Sequence, residues 1–263
     1  MVPAISRQGV PYFPVIHDAV PHPGDVSIAW DWRLGRELSH ARAAIVLSRI
    51  VADRIAERSP DLPLIRMRLR AVLEDKAVRP KESAASDEIR LLFFGRFRDY
   101  KGLDLLRDAF SLVQASHPGI RLRVVGEGDA SACAPGIEAL AGVTVEPRWV
   151  PEGEIASLLA GSDAVILPYR EASQSGIVPQ ALALGVPVVA TPVGGLVEQV
   201  REGAGGLLAA APTAPALAAA IARLSDGGTL AALRNEALAA ARRSSDWDAA
   251  ADELMTGLSR FIP

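Results

Sequence analysis

Three short segments of this sequence set residues suited to anion chemistry directly after runs of apolar residues. The first is GRFRDYKG, Gly95 to Gly102, which follows IRLLFF at Ile89–Phe94. A glycine at a strand end lets the backbone come close to a ligand. Arg96 and Lys101 bring two cations beside it, a natural clamp for a diphosphate. The plainer reading is two solvated cations in a surface loop. The second segment is Gly126-Glu127-Gly128-Asp129, whose glycines allow a tight turn beside a ligand, although an ordinary strand-to-helix turn has the same composition. The third is Leu167-Pro168-Tyr169 followed by REASQSG, which leads into a helix expected near Ser175-Gly176. The first turn of such a helix offers N–H groups and the positive end of its dipole to an anion, and Ser175 adds a hydroxyl. Capping by Ser173 or Ser175 is the simpler account and is compatible with anion binding. Thr191-Pro192-Val193-Gly194-Gly195 repeats the arrangement and opens a helix carrying Glu198. Several anion-suited turns along one edge are more specific than any one of them.

These turns need a sheet to line them up, and the intervening pattern supplies one. Apolar runs at Ile89–Phe94, Leu122–Val125, Val143–Val145, Ala164–Leu167 and Val188–Ala190 read as strands, most separated by helix-length segments. Leu103, Leu106, Phe110 and Val113 recur at helical spacing. Alternation of this kind predicts a doubly wound parallel sheet from about Ile89 to Leu208, whose ligands bind at the carboxyl ends of the strands. Upstream, Phe13–Ile16 and Ala44–Leu47 read as buried strands, Ser48 as the cap of a helix from Arg49, and Ile65, Met67 and Leu69 as a half-buried strand. Together they predict a small three-stranded sheet. The polar stretch Lys81–Glu88 reads as a linker. The Ala-rich tail holds two or three helices, the last starting near Trp247, with the Asp246-Trp247-Asp248 pair as its cap. No internal repeat is visible.

The chain has 263 residues, 49% apolar and 22% charged, with 28 Lys+Arg against 31 Asp+Glu and a formal net charge of −3. That is a globular composition of about two domains, not a disordered one. It lacks the basic field of a nucleic-acid binder. The single cysteine, Cys133, forms no internal disulfide and no multi-cysteine zinc site, which points to a reducing compartment. No apolar run reaches the ~18 residues of a membrane span, and no secretory signal pattern opens the chain. The expectation is a cytoplasmic protein, with peripheral attachment at the inner face of the membrane as a variant.

The run from GRFRDYKG through RVVGEGD, VPEGEIASLLAGSDAVILPYREASQSG and ALALGVPVVATPVGGLVEQV resembles the donor-binding domain of retaining family 4 glycosyltransferases of GT-B fold. The resemblance covers about Ile89 to Leu208. The tail SSDWDAAADELMTGL is similar to that family's final helix, which crosses back to the N-terminal domain, and VPYFPVIHDAVPHPG and ARAAIVLSRIVADRI resemble the later part of its acceptor domain. The resemblance implies an α/β protein of Rossmann-like doubly wound sheets, GT-B type, with a complete C-terminal domain and a partial N-terminal one. Its parts would be a partial acceptor-side domain over 1–82, a donor-binding domain over 83–245 and a crossing helix over 246–263.

By that resemblance, Arg96 and Lys101 beside Gly95 and Gly126 hold the donor diphosphate, Ser175 and Gly176 receive its terminal phosphate, and the backbone at Val150 reads the base. His17 corresponds to a histidine near the transferred sugar, although a strand-end histidine bonded to a local carbonyl is the plainer alternative. Where the family usually carries two glutamates, this chain has Ala172 and Gln180. Glu171 lies one position away from the first, and Gln180 retains hydrogen-bonding capacity toward a ribose. The expected reaction is retaining, metal-independent transfer from a UDP- or GDP-linked sugar to a glycan, lipid-linked or small-molecule acceptor, with no cofactor, as in glycan or exopolysaccharide synthesis. A partial N-terminal sheet would leave an unpaired edge, so self-association or a partner chain is expected. Two rivals stand beside this reading: a non-catalytic nucleotide-sugar-binding module or half of a split enzyme, and a sugar-nucleotide epimerase.

Overall fold

In the computed structural model, which describes residues 9–21, 29–72, 88–200, 204–244 and 247–262, the chain divides into two compact units, 1–69 with 246–263 and 70–245. The first unit holds the small sheet anticipated from sequence. Its strands β1 (Val15–Ile16), β2 (Ala44–Val46) and β3 (Leu64–Arg66) are parallel and lie in the order β1-β2-β3. Helices α1 (Trp30–Leu38) and α2 (Arg49–Arg58) bring Leu34, Leu38, Val51 and Ile55 against Ile16 and Val46. Ser48 caps α2 as expected, its Oγ accepting the Val51 N–H at 3.4 Å.

All three strands stop short of their apolar patterns, β2 by the single residue Leu47. Pro14 has no N–H to give a ladder, and β1 is confined to Val15–Ile16 instead of Phe13–Ile16. Met67 still donates its N–H to the Val46 carbonyl at 2.9 Å. Because β2 ends at Val46, Arg68 and Leu69 have no strand to pair with, and the expected strand through Leu69 stops at Arg66.

The second unit is built on a six-stranded parallel sheet of β4 (Ile89–Phe94), β5 (Ile120–Gly126), β6 (Val143–Pro147), β7 (Ala164–Leu167), β8 (Val188–Ala190) and β9 (Gly206–Leu208). Between successive strands run α3 (Leu103–Ser116), α4 (Ala130–Cys133), α5 (Glu152–Ala160), α6 (Ile177–Ala183) and α7 (Leu196–Gln199), followed after β9 by α8 (Ala214–Ala222) and α9 (Gly227–Ser244). Alternate residues of β4 serve the two faces. Leu91 and Phe93 meet Leu106 and Phe110 of α3, while Leu92 joins the opposite cluster with Leu159 and Val178. A strand covered on both faces has no polar side, which is why IRLLFF reads as a nearly continuous apolar run.

Spatial order in this sheet is β6-β5-β4-β7-β8-β9. The chain therefore builds outward from β4 in one direction, returns, and builds outward from β7 in the other. Connections leave the carboxyl ends of β4 and β7 toward opposite sides, opening a crevice between them. The last helix, α10 (Trp247–Ser259), belongs to the first unit, where Leu254 and Leu258 pack with Ile45 and Ile65. Asp246 of the expected cap, most of the Lys81–Glu88 linker and the expected boundary at 82/83 lie outside the described residues. Among the described residues no single helix is long and apolar enough to cross a membrane.

Asp163, buried just before β7, ties three elements of the second unit together. Its carboxylate accepts the Arg90 N–H at 2.7 Å and pairs with Arg234 of α9. Removing one partner of a buried pair leaves the other charge uncompensated, which costs about 3–5 kcal/mol. Asp163→Ala is therefore expected to lower unfolding stability by about 3 kcal/mol in urea denaturation. A loss under about 1 kcal/mol, the value of an exposed pair, would contradict this role.

Candidate functional site at the sheet crossover

At the crevice, the loop that follows β4 begins with Gly95 and Arg96 and ends in a short 3-10 turn, Asp99–Lys101, closed by Gly102 in the left-handed conformation (φ 67°). A Cβ on Gly102 would lie 2.0 Å from the Pro168 carbonyl oxygen. Only glycine lets the loops after β4 and β7 approach this closely. Arg170 fastens the contact twice, its N–H donating to the Tyr100 carbonyl at 2.8 Å and its guanidinium pairing with Asp104 at the start of α3.

The loop contact places the second expected cation. Lys101 Nζ lies 3.8 Å from the centre of the Tyr169 ring and 5.2 Å from that of Tyr100. Arg96 is exposed. Neither Arg96 nor Lys101 has a carboxylate partner among the described residues, whereas nearby Arg170 is taken by Asp104. The crevice thus presents cations that no carboxylate among the described residues pairs with, the condition an anionic ligand needs.

GEGD does less chemistry than its glycines imply. A Cβ on Gly126 would fall 1.8 Å from the Gly95 carbonyl oxygen, so this glycine makes room for the protein's own backbone. Phe97 N–H donates to the Glu127 carbonyl at 2.8 Å and Gly95 N–H to the Val125 carbonyl at 3.1 Å. Asp129 caps α4, its Oδ1 accepting the Ala132 N–H at 3.0 Å. These contacts tie the segment to the Arg96 loop.

The REASQSG loop departs from expectation in two respects. Gly176 holds the N-cap position of α6 and no side chain caps it, so neither Ser173 nor Ser175 acts as the cap. Ser175 N–H is already committed: it donates to Gln199 Oε1 at 2.7 Å, and Gln199 Nε2 donates back to the Ser175 carbonyl at 3.1 Å. That leaves Ser175 its hydroxyl, and Gly176 onward the backbone N–H groups, for hydrogen bonding to anything else. Gln199 leaves no local pattern in the sequence, because its amide reaches from the end of α7 to a loop 24 residues away. Ala172 is buried, with its carbonyl accepting the Gly195 N–H at 2.9 Å, while Glu171 and Gln180 are half-buried.

Val150 buries its side chain in the core. Its loop is held by Arg148, which hydrogen-bonds both Glu146 and Glu154, and its bond to Glu154 keeps that carboxyl below its ordinary range. In the first unit, His17 directly follows β1 and is exposed. It lines a cavity of about 170 Å³ with Asp18, Trp30, Arg33 and Glu37.

A family profile described as "Glycosyl transferases group 1" matches residues 88–226, more than half the chain and nearly all of the second unit's sheet. Among curated proteins, D-inositol 3-phosphate glycosyltransferase of Segniliparus rotundus is 34% identical over 194 residues, 67% of this chain and 43% of that protein. The enzyme of the same name from Acidothermus cellulolyticus is 30% identical over 285 aligned positions, 93% of this chain and 61% of its own length. The chain thus spans less than half the length of the first relatives it matches. Among solved structures, sucrose-phosphate synthase from Thermosynechococcus elongatus superposes with a TM-score of 0.77 at 22% identity, covering 97% of this chain and 68% of that one. A mutant of S. aureus TarM in complex with fondaparinux, alpha-GlcNAc-glycerol and UDP superposes with a TM-score of 0.75 at 14% identity, covering 94% and 50%. Both structures establish the shared GT-B, Rossmann-like fold.

The contact at Gly102 has a measurable consequence. Gly136 is also left-handed (φ 82°), but a Cβ there would meet nothing within 4 Å. Gly136→Ala should cost only the conformational strain, about 1–2 kcal/mol. Gly102→Ala adds a backbone clash and should cost about 3 kcal/mol or more. Equal losses in chemical denaturation would show that the two loops do not need this approach.

Proposed function

This chain belongs to the group 1 glycosyl transferases, and on that premise we propose that it transfers a sugar from a nucleoside-diphosphate sugar to an acceptor hydroxyl. The observation that carries the proposal is the pair of cations, Arg96 and Lys101, that have no carboxylate partner among the described residues, at the crevice between β4 and β7. As the bond between the anomeric carbon and the diphosphate oxygen breaks, negative charge grows on the departing diphosphate. Two fixed cations there stabilise the transition state more than the ground state. The Ser175 hydroxyl and the backbone at Gly176 take the terminal phosphate, the Val150 backbone meets the base, and Gln180 bonds the ribose. The acceptor oxygen forms the new glycosidic bond, and its proton passes to the departing diphosphate oxygen that took the electron pair of the broken bond. In this scheme the cations supply the charge that a divalent metal supplies elsewhere, so transfer is metal-independent, with retention at the anomeric carbon.

UDP- and GDP-linked sugars are the donor candidates, with a glycan, lipid-linked or small-molecule acceptor as in polysaccharide synthesis. Ala172 favours a second reading, binding without transfer: its side chain is a buried methyl where a sugar-contacting glutamate is usual in the family. Product analysis with donor and acceptors separates the two, since binding alone releases neither free sugar nor transferred sugar.

Arg96→Ala and Lys101→Ala are each expected to weaken UDP or GDP binding about tenfold or more, the value of a charge-assisted hydrogen bond, with the fold intact. Calorimetry that finds wild-type affinity in both variants would remove the phosphate assignment. His17→Ala is expected to lower kcat strongly while nucleoside-diphosphate affinity changes little, the pattern of a group that acts mainly in the transition state. Unchanged turnover per folded molecule with a lowered melting temperature would make His17 a structural residue instead.

A further inference from the structure

We propose that Tyr169, supported by Tyr100, is an uncharged positioning residue that holds the Lys101 ammonium where it meets the donor diphosphate. The diphosphate part rests on the function proposed above; the placement of the lysine stands on its own geometry. Nζ lies 3.8 Å from the Tyr169 ring centre, well inside the range in which a ring's negative face attracts a cation. Tyr100 stands on the same ammonium at 5.2 Å.

Both rings are immobilised. Tyr169 is 1% exposed and Tyr100 7%. The Tyr100 carbonyl is held by the Arg170 N–H and the Tyr169 carbonyl by the Thr191 hydroxyl, while the Gly102 contact with Pro168 sets how closely the two loops lie.

The choice of an aromatic face matters because of what it does not do. A carboxylate beside Lys101 would hold it equally well but would offset its charge and compete with an incoming anion. The nearest acid on α3, Asp104, is occupied by Arg170. A ring orients the ammonium and leaves its full charge for the ligand. Lysine is also rare here: of 28 basic residues, Lys76, Lys81 and Lys101 are the only lysines and the rest are arginine. A compact ammonium sits over a ring as a point charge, while a planar guanidinium stacks and spreads its donors sideways. The Tyr169 hydroxyl is buried with no hydrogen-bond partner among the described residues, so the ring face, not the hydroxyl, is what this position uses.

The small number of lysines makes the test clean. Reductive methylation with ¹³C-formaldehyde labels the lysines of the full chain and keeps their charge, with Lys101→Arg assigning the signal. Lys101 should show an upfield ring-current shift without any nucleotide. Tyr169→Phe should keep that shift, and Tyr169→Leu should move the signal to that of a freely solvated lysine. A wild-type Lys101 signal at the free-lysine position, or one that Tyr169→Leu leaves in place, overturns the placement.

Calorimetry with UDP and GDP then tests the purpose. Tyr169→Phe should bind within twofold of wild type, Tyr169→Leu should lose about as much affinity as Lys101→Ala, and the double variant should lose no more than either. Additive losses, or a Phe variant as impaired as the Leu variant, overturn the positioning role. If wild type binds neither nucleotide while the ring-current shift is present, the donor reading and the role drawn from it fail, and the placement stands. The wild-type shift and wild-type binding need no substitution, so both questions stay decidable even if the Leu variant fails to fold.

Discussion

The approach of the Pro168 carbonyl to Gly102 fixes the distance between the loops after β4 and β7, and the candidate site follows from that distance. A side chain at 102 would force the loops apart. With them would go the Arg170–Tyr100 hydrogen bond, the Arg170–Asp104 pair and the overlap of Lys101 with Tyr169. The sheet makes this contact possible because its strand order reverses between β4 and β7. Loops that leave in opposite directions meet only at their roots, and glycine allows those roots to touch.

Charge in the second unit is distributed to match. Arginines that bear on architecture are paired: Arg234 with Asp163, Arg123 with Glu146, Arg148 with Glu154 and Arg170 with Asp104. Arg96 and Lys101, at the crevice, have no such partners among the described residues. An unpaired exposed cation contributes little to stability, and a paired one offers little to a ligand. The division separates residues that hold the fold from residues left to act.

Much of this is legible in the residues, and the limits have physical causes. β4, β7 and β8 match their apolar runs residue for residue, because strands covered on both faces carry a signal that no neighbour dilutes. β5 runs from Ile120 to Gly126, longer than the predicted Leu122–Val125, since exposed Arg121 interrupts the apolar pattern near its start. The short β9, Gly206–Leu208, escapes a sequence reading: it begins within the Gly205-Gly206 pair and is recognisable mainly by its pairing with β8. Arg96, Lys101 and the crevice are readable because strand-end turns announce themselves. The Gln199 bridge to Ser175, the ring under Lys101 and the close approach of Gly126 to Gly95 are contacts between segments distant in sequence, and no local pattern encodes them.

The central claim is that a nucleoside diphosphate sits at the β4/β7 crevice of the second unit. Amide chemical-shift mapping of the ¹⁵N-labelled full chain during titration with UDP, and separately with GDP, tests it most directly. The account predicts saturable changes concentrated in Gly95–Gly102 and Tyr169–Gly176 for at least one of the two, with further changes around Val150 from the base. Changes confined to other segments, or none from either nucleotide at millimolar concentration, would contradict it.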